Sequence, residues 1–223
     1  MPTVSNWRIL PLPDENAPLA HLEKLAKSLN ASYQDGKFTD FVLVCENVKL
    51  HVHRVIVCSQ PRVLNAACSG AFKEATSSAF EMKEDSLILV KRMVDFLYAS
   101  DYNANPKTDA NNEAAISELQ LHVRMFIMGD KYDIEGLRSR ASDKFLARLH
   151  KALPWEELLG CIPETNNMTP SLMKPLKDMI LARIKECLKK GLTNAKTLEL
   201  YERVALEVPE FVKDLLELYI EAT

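Results

Sequence analysis

KFTDFVLVCENVKLHVHRVIVCS, residues 37–59, is the stretch on which the fold turns. Val48, Leu50 and Val52 alternate with Lys49, His51 and His53, the period of a strand with one covered face. Ahead of them Phe41, Val42, Leu43, Val44 and Cys45 are apolar on both alternations, which predicts a central strand. Glu46-Asn47 is a polar break between two β-branched runs, so the spacing predicts a hairpin with strands over 38–44 and 48–52. Two short helices follow, about 53–58 and 61–68, the second with Pro61 at its first position and Gly70 just past its end.

Outward from this stretch the pattern is helical on both sides. Pro2, Pro11, Pro13 and Pro18 make residues 1–18 an extended arm. Leu19, Leu22, Leu25, Ala26 and Leu29 then recur at helical spacing, predicting an amphipathic helix that ends near Asn30. Downstream, a short strand is expected over 79–82 and a helix carrying Leu87, Val90, Val94, Leu97 and Tyr98. A loop containing Pro106 covers 103–112, and core helices follow over 115–132 and 134–149. Pro154, Pro163, Pro170 and Pro175 divide the next region into short pieces. A stripe from Leu172 to Leu188, a helix capped by Thr193 or Asn194, and a last helix opened by Pro209 complete the chain. The order is a mixed α/β block over 19–149 and an all-helical extension over 150–223.

Composition narrows the function. The chain has 223 residues, with 28 Lys and Arg against 31 Asp and Glu. That balance gives no electrostatic footprint for direct nucleic-acid binding or for an anionic membrane. Six scattered glycines leave no phosphate-cradling loop, so no nucleotide cofactor is expected. The apolar runs are too short to span a bilayer and the N-terminus has no secretory pattern, so an intracellular protein, cytoplasmic or nuclear, is expected. Five cysteines without a CxxC pair predict buried reduced thiols. Cys45, His51, His53 and Cys58 are of metal-ligating type but lack zinc spacing, and no GxSxG, HExxH or Cys-His-Asn signature occurs. Neither a metal nor catalysis is expected; a cryptic enzyme is the remote alternative.

Specific stretches carry a resemblance. Lys37 to Val44, with an Asp ahead of an apolar run, resembles the first strand of the BTB/POZ domain family. His51-Val52-His53-Arg54-Val55-Ile56-Val57-Cys58-Ser59 resembles its strand-to-helix segment, and Phe72-Lys73-Glu74-Ala75 its connection to the next strand. Phe96-Leu97-Tyr98-Ala99-Ser100-Asp101-Tyr102 is similar to the family's helix end. Gly129-Asp130-Lys131-Tyr132-Asp133-Ile134-Glu135-Gly136-Leu137 is similar to its helix junction. Ala99-Ser100 departs from the usual Thr-Gly, and the loop at 103–112 is long.

The resemblance, which favours the variety common in fungal proteins, implies an α+β BTB/POZ fold. That is a short, mostly three-stranded sheet flanked by helices, here followed by a helical extension of the BACK type. It also implies a protein-interaction module without catalysis, usually a homodimer. Such a module serves as an adaptor between a cullin ubiquitin ligase and a substrate protein, or as a transcriptional or structural scaffold without a cullin. On the resemblance, Leu19, Leu22, Leu25, Leu29 and Phe38 form the dimer face. A tethered amphipathic helix must bury its stripe either on its own domain or on a partner. Asp40 and Arg54 match a charged pocket, with the alternative that Asp40 caps backbone amides and Arg54 lies at the surface. Phe72 and Glu74 match a cullin-contact motif, with the alternative that Phe72 completes the core.

Overall fold

The computed structural model describes residues 19–69, 78–105, 116–166, 170–188 and 194–220. β1 (Phe41–Cys45) is the middle of a three-stranded sheet, as its two apolar faces predict. β2 (Val48–Val52) pairs with it antiparallel and β3 (Ala79–Glu81) parallel, so that Leu43 faces Leu50 on one side and Phe80 on the other. Phe41, Leu43 and Cys45 are buried, while Val42 and Val44 on the opposite face are half-buried.

Glu46 and Asn47 join the hairpin with φ of 47° and 64°, the left-handed pair of a two-residue turn that follows the sheet twist. For Glu46 that conformation is unfavourable, and its carboxylate gives a return: Oε1 accepts the N–H of Leu87 at 3.0 Å, at the start of the helix Leu87–Ala99. β1 begins at Phe41 rather than at Phe38. Phe38 has φ 60° and projects into solvent, while Asp40 keeps its N–H on Val52 O at 3.2 Å and turns its carboxylate to cap the helix that follows β2.

α1 (Leu19–Gln34) runs four residues beyond the expected end at Asn30. It stops where Gly36, at φ +65°, lets Gly36 N–H reach Tyr33 O and Lys37 N–H reach Ser32 O, a left-handed terminus that closes the last carbonyls. α2 (Arg54–Val57) and α3 (Arg62–Ser69) form the crossover that parallel pairing requires. Their cysteines depart from the expected reduced thiols: Cys58 and Cys68 form a disulfide with Cα atoms 6.6 Å apart. A ten-residue separation gave no sign of it in sequence; the turn at Pro61 folds α3 back so that its last turn meets the end of α2.

α4 (Leu87–Ala99), α5 (Glu118–Lys131) and α6 (Glu135–Leu149) complete the first core with the sheet. α5 starts later than the apolar pattern suggests because Ser117 and Gln120 form a reciprocal capping box. Beyond it lie α7 (Trp155–Leu159), α8 (Ile162–Asn166), α9 (Pro170–Leu188), α10 (Ala195–Glu207) and α11 (Pro209–Ile220). Pro175 does not divide this region. It sits inside α9, where one ladder bond is lost and burial of Leu176, Ile180, Leu181 and Ile184 carries the helix through.

α5 and α6 supply both cores. Leu121, Met125 and Met128 of α5 and Leu137 and Ala141 of α6 pack against the sheet side. Leu119 and Val123, with Phe145 and Leu149, pack under α7–α11. The seam is sealed by Glu157, whose carboxylate accepts from the Leu119 N–H at 2.9 Å and takes Arg148 in a two-pronged pair at 3.1 and 2.6 Å. A buried carboxylate needs such compensation, and its place at the N-terminus of α5 suits the helix dipole.

Gly129 lies where α5 crosses α6: a Cβ there would sit 2.9 Å from both Arg138 Cγ and Arg138 N. Because backbone cannot yield, Gly129→Ala is expected to cost about 1–3 kcal/mol. At about 2–4 °C per kcal/mol, calorimetry should find a lower melting temperature.

His122 yields a pH prediction. It is buried, with Nδ1 2.8 Å from Tyr102 Oη and Nε2 3.8 Å from Glu118. Burial, then the nearby Lys144 and Arg148, outweigh Asp101 and lower its pKa from 6.5 to about 4. Between those values the unfolded chain binds a proton that the folded chain refuses, so stability falls as pH drops from about 6.5 toward about 4. Denaturant titrations across this window should show the loss, and His122→Gln should flatten it.

Candidate interaction surface

One face of the molecule is built around the junction of α1, β2, α2 and α4. His53 follows β2 and precedes α2, and at the end of the strand its ring turns inward. Its backbone N–H donates to Tyr98 Oη at 2.9 Å, its Nδ1 lies 2.6 Å from the same oxygen, and its Nε2 lies 2.8 Å from Lys37 O. A carbonyl can only accept, so Nε2 carries the proton. The phenol hydrogen then goes to Nδ1, and every polar group in the knot is satisfied.

Tyr33 stacks on Tyr98 with ring centroids 4.5 Å apart. Burial raises the pKa of both phenols, that of Tyr33 to about 12 with Asp95 adding to the effect, so both stay neutral donors. This knot ties the end of α1 to the body of the protein.

The rest of α1 is less attached. Leu29 is half-buried, whereas Leu22 and Leu25 are 53% and 52% exposed. Leu19 starts the helix, its side chain outside the described residues. Phe38, just past the helix end, is 83% exposed. The apolar stripe thus begins on the protein's own core at Tyr33 and runs back along α1 onto open surface at Leu25 and Leu22.

Asp40 and Arg54 come together through the backbone. Asp40 Oδ1 accepts the Arg54 N–H at 2.7 Å, capping α2, while the Arg54 guanidinium lies over the Phe41 ring at 4.9 Å and 3.5 Å from Ser78 Oγ. Phe72 and Glu74 fall within 70–77, outside the described residues. The described chain resumes at Ser78 and passes through β3 into the β3–α4 turn. There Asp85, largely buried, accepts from Tyr132 Oη at 2.6 Å and pairs with Lys131 at 3.0 Å beside a shallow cavity of about 320 Å³.

The metal-type residues do not assemble. Cys45 Sγ donates to Asp85 O, Cys58 is in the disulfide, His51 is exposed and His53 is held by Tyr98. Among the described residues no group of three or more His, Cys, Asp or Glu could hold a metal, and no helix is long and apolar enough to cross a membrane. Tyr98, Tyr102 and Tyr132 are core aromatics, and Phe126 packs at the core's edge. The role of His53 was hidden in the sequence because period-2 alternation places it on the solvent face of β2.

A profile of the BTB/POZ domain matches residues 29–145. Kelch-like protein 26 of Danio rerio is 28% identical over 82 residues, which is 37% of this chain and 14% of that relative. The BTB domain of zebrafish PATZ1 superposes with a TM-score of 0.45 at 13% identity, covering 57% of this chain and 92% of that one. The BTB domain of human Gigaxonin superposes with a TM-score of 0.43 at 14% identity, covering 60% and 95%.

Removing one oxygen tests the knot. Tyr98→Phe leaves the His53 N–H and Nδ1 buried without partners, each unmet group costing about 1–3 kcal/mol. Asp40→Ala removes an exposed cap worth about 1 kcal/mol. Denaturant titration should therefore rank Tyr98→Phe as the more damaging of the two.

Proposed function

The chain belongs to the BTB/POZ domain family, whose domains are protein-interaction modules, and on that premise we propose that it works as a homodimeric adaptor recruiting a cullin ubiquitin ligase. The observation that carries the dimer is the open end of the α1 stripe. Leu22 and Leu25 are half-exposed in a single chain although the same stripe enters the core at Tyr33. A second copy brought against α1 by a two-fold axis would cover them on both chains at once. Phe38, exposed just past the other end of the helix, is a further apolar side chain for a partner to cover.

The cullin part rests on sequence. Phe72-Lys73-Glu74 matches the hydrophobic-x-Glu pattern of cullin-binding members, and an aromatic anchor beside a charge is a common interface hot spot. The helices beyond residue 150 would extend that interface or hold a substrate protein. A scaffold without a cullin needs only the dimer.

Light scattering should give about twice the 25.2 kDa chain mass. The double variant Leu22→Asp, Leu25→Asp should give a single chain mass with unchanged circular dichroism. A wild type that is monomeric at micromolar concentration overturns the dimer. Phe72→Ala and Glu74→Lys should each abolish co-purification of a cullin without lowering the melting temperature. A wild type that retains no cullin removes the adaptor role and leaves the scaffold.

A further inference from the structure

The cysteines of this chain fall into distinct environments. Cys45 and Cys161 are shut in the two cores, their thiols donating to Asp85 O and Glu157 O. Burial raises the Cys161 thiol well above its ordinary value, which keeps it protonated and inert. Cys58 and Cys68 differ. Cys58 is the residue that ends α2 and Cys68 lies in the last turn of α3. Their Cα separation of 6.6 Å is within the span of an ordinary bridge.

The pair is covered but reachable. The two residues are 6% and 7% exposed, and both line an open cavity of about 350 Å³ together with Arg54, Ser59, Asn65 and Ser69. A small thiol or disulfide fits such an opening, whereas a protein oxidoreductase meets buried sulfur. Exchange of this kind proceeds through attack of a thiolate on a disulfide sulfur, so access to the pair, which the cavity gives, is what it requires.

We propose that Cys58 and Cys68 are a reversible thiol–disulfide pair, exchanging with small disulfides of the glutathione class, that sets how firmly α3 is held on α2. In the forward direction one cysteine thiolate attacks a sulfur of glutathione disulfide. The bond inside that molecule breaks, one glutathione leaves as thiolate, and a mixed disulfide remains. The second cysteine thiolate attacks the protein sulfur, the Cys58–Cys68 bond forms and the second glutathione leaves. Two electrons pass to the oxidant, and the two cysteine protons end on the two glutathiones. Reduced glutathione reverses each step.

α3 depends on this bond more than its length suggests. It has eight residues, too few to persist alone in water. Apart from the disulfide, it is held by buried Leu64, by the Asn65 side-chain N–H donating to Cys58 O at 2.7 Å, and by an exposed Arg62–Asp133 pair at 3.4 Å. The chain leaving Ser69 leads directly into the stretch with Phe72 and Glu74. Redox control of that stretch as a cullin contact rests on the adaptor reading; redox control of α3 does not.

The test uses the full chain equilibrated in glutathione buffers from fully oxidised to fully reduced, with alkylation and peptide mass spectrometry to score both cysteines. Hydrogen exchange is followed on the same samples. The expected result is a complete change of state at Cys58 and Cys68 across the series, with Cys45 and Cys161 unmodified throughout. Amides of 62–69 should exchange at least about tenfold faster in the reduced state, those of α5 at an unchanged rate. The variant Cys58→Ser, Cys68→Ser should show the fast rate in every buffer. A pair that stays reduced in oxidised glutathione, or stays bridged in reduced glutathione, overturns the proposal. So does α3 exchange that ignores the state of the pair. A wild type that binds no cullin leaves these readouts intact and counts against the adaptor reading alone.

Discussion

A single phenol oxygen, that of Tyr98, holds the junction from which the rest of the interaction face is laid out. It takes a backbone N–H and gives its proton to the ring of the same residue, His53. That ring in turn binds the carbonyl of Lys37, and the Tyr98 ring stacks on Tyr33. Four segments meet there: the end of α1, the approach to β1, the link from β2 to α2, and α4. Each bond is modest by itself, but all lie in a site with little water, where satisfied groups reinforce one another and an orphan is costly. The direction in which α1 leaves the body, and so where Leu22 and Leu25 are presented, follows from this knot.

A second constraint joins the α/β block to the helices that follow. α5 and α6 are apolar on two sides, and their side chains are shared between the two cores. Glu157 fixes the register of this double wall, because its carboxylate serves a helix terminus and an arginine from two different elements. The two cores are neighbours with a common partition rather than separate bodies joined by a tether.

Much of this was legible in the sequence, for physical reasons that can be named. The alternation in 48–52 and the doubly apolar run in 41–45 fixed strand type and the central place of β1, because burial acts directly on side-chain period. The helices with long stripes were equally clear. What escaped detection was set by contacts distant in sequence or by local exceptions. The inward turn of His53 depends on a tyrosine 45 residues away, and the Glu46 cap on Leu87 spans 41. Pro175 inside α9 is tolerated because burial beyond it outweighs one missing bond. Nothing in the spacing of Cys58 and Cys68 distinguishes a bridge from two free thiols. Of the site, Asp40 and Arg54 were found as a pair, and their meeting is carboxylate to backbone, which is the amide-capping alternative that the sequence left open beside the charged pocket.

The double wall also bears on how such a chain could be shortened or rearranged. The family's own boundary, at residue 145, runs through the helix that carries Phe145 and Leu149. A cut there would turn Leu119, Val123 and Phe145 from interior into surface, at a cost set by the apolar area newly wetted, about 25 cal/mol per Å². Whatever follows this fold in other chains, here the partition has been shaped to need its roof. Descent with loss of the helical part would have to repaint that wall with polar residues at the same time.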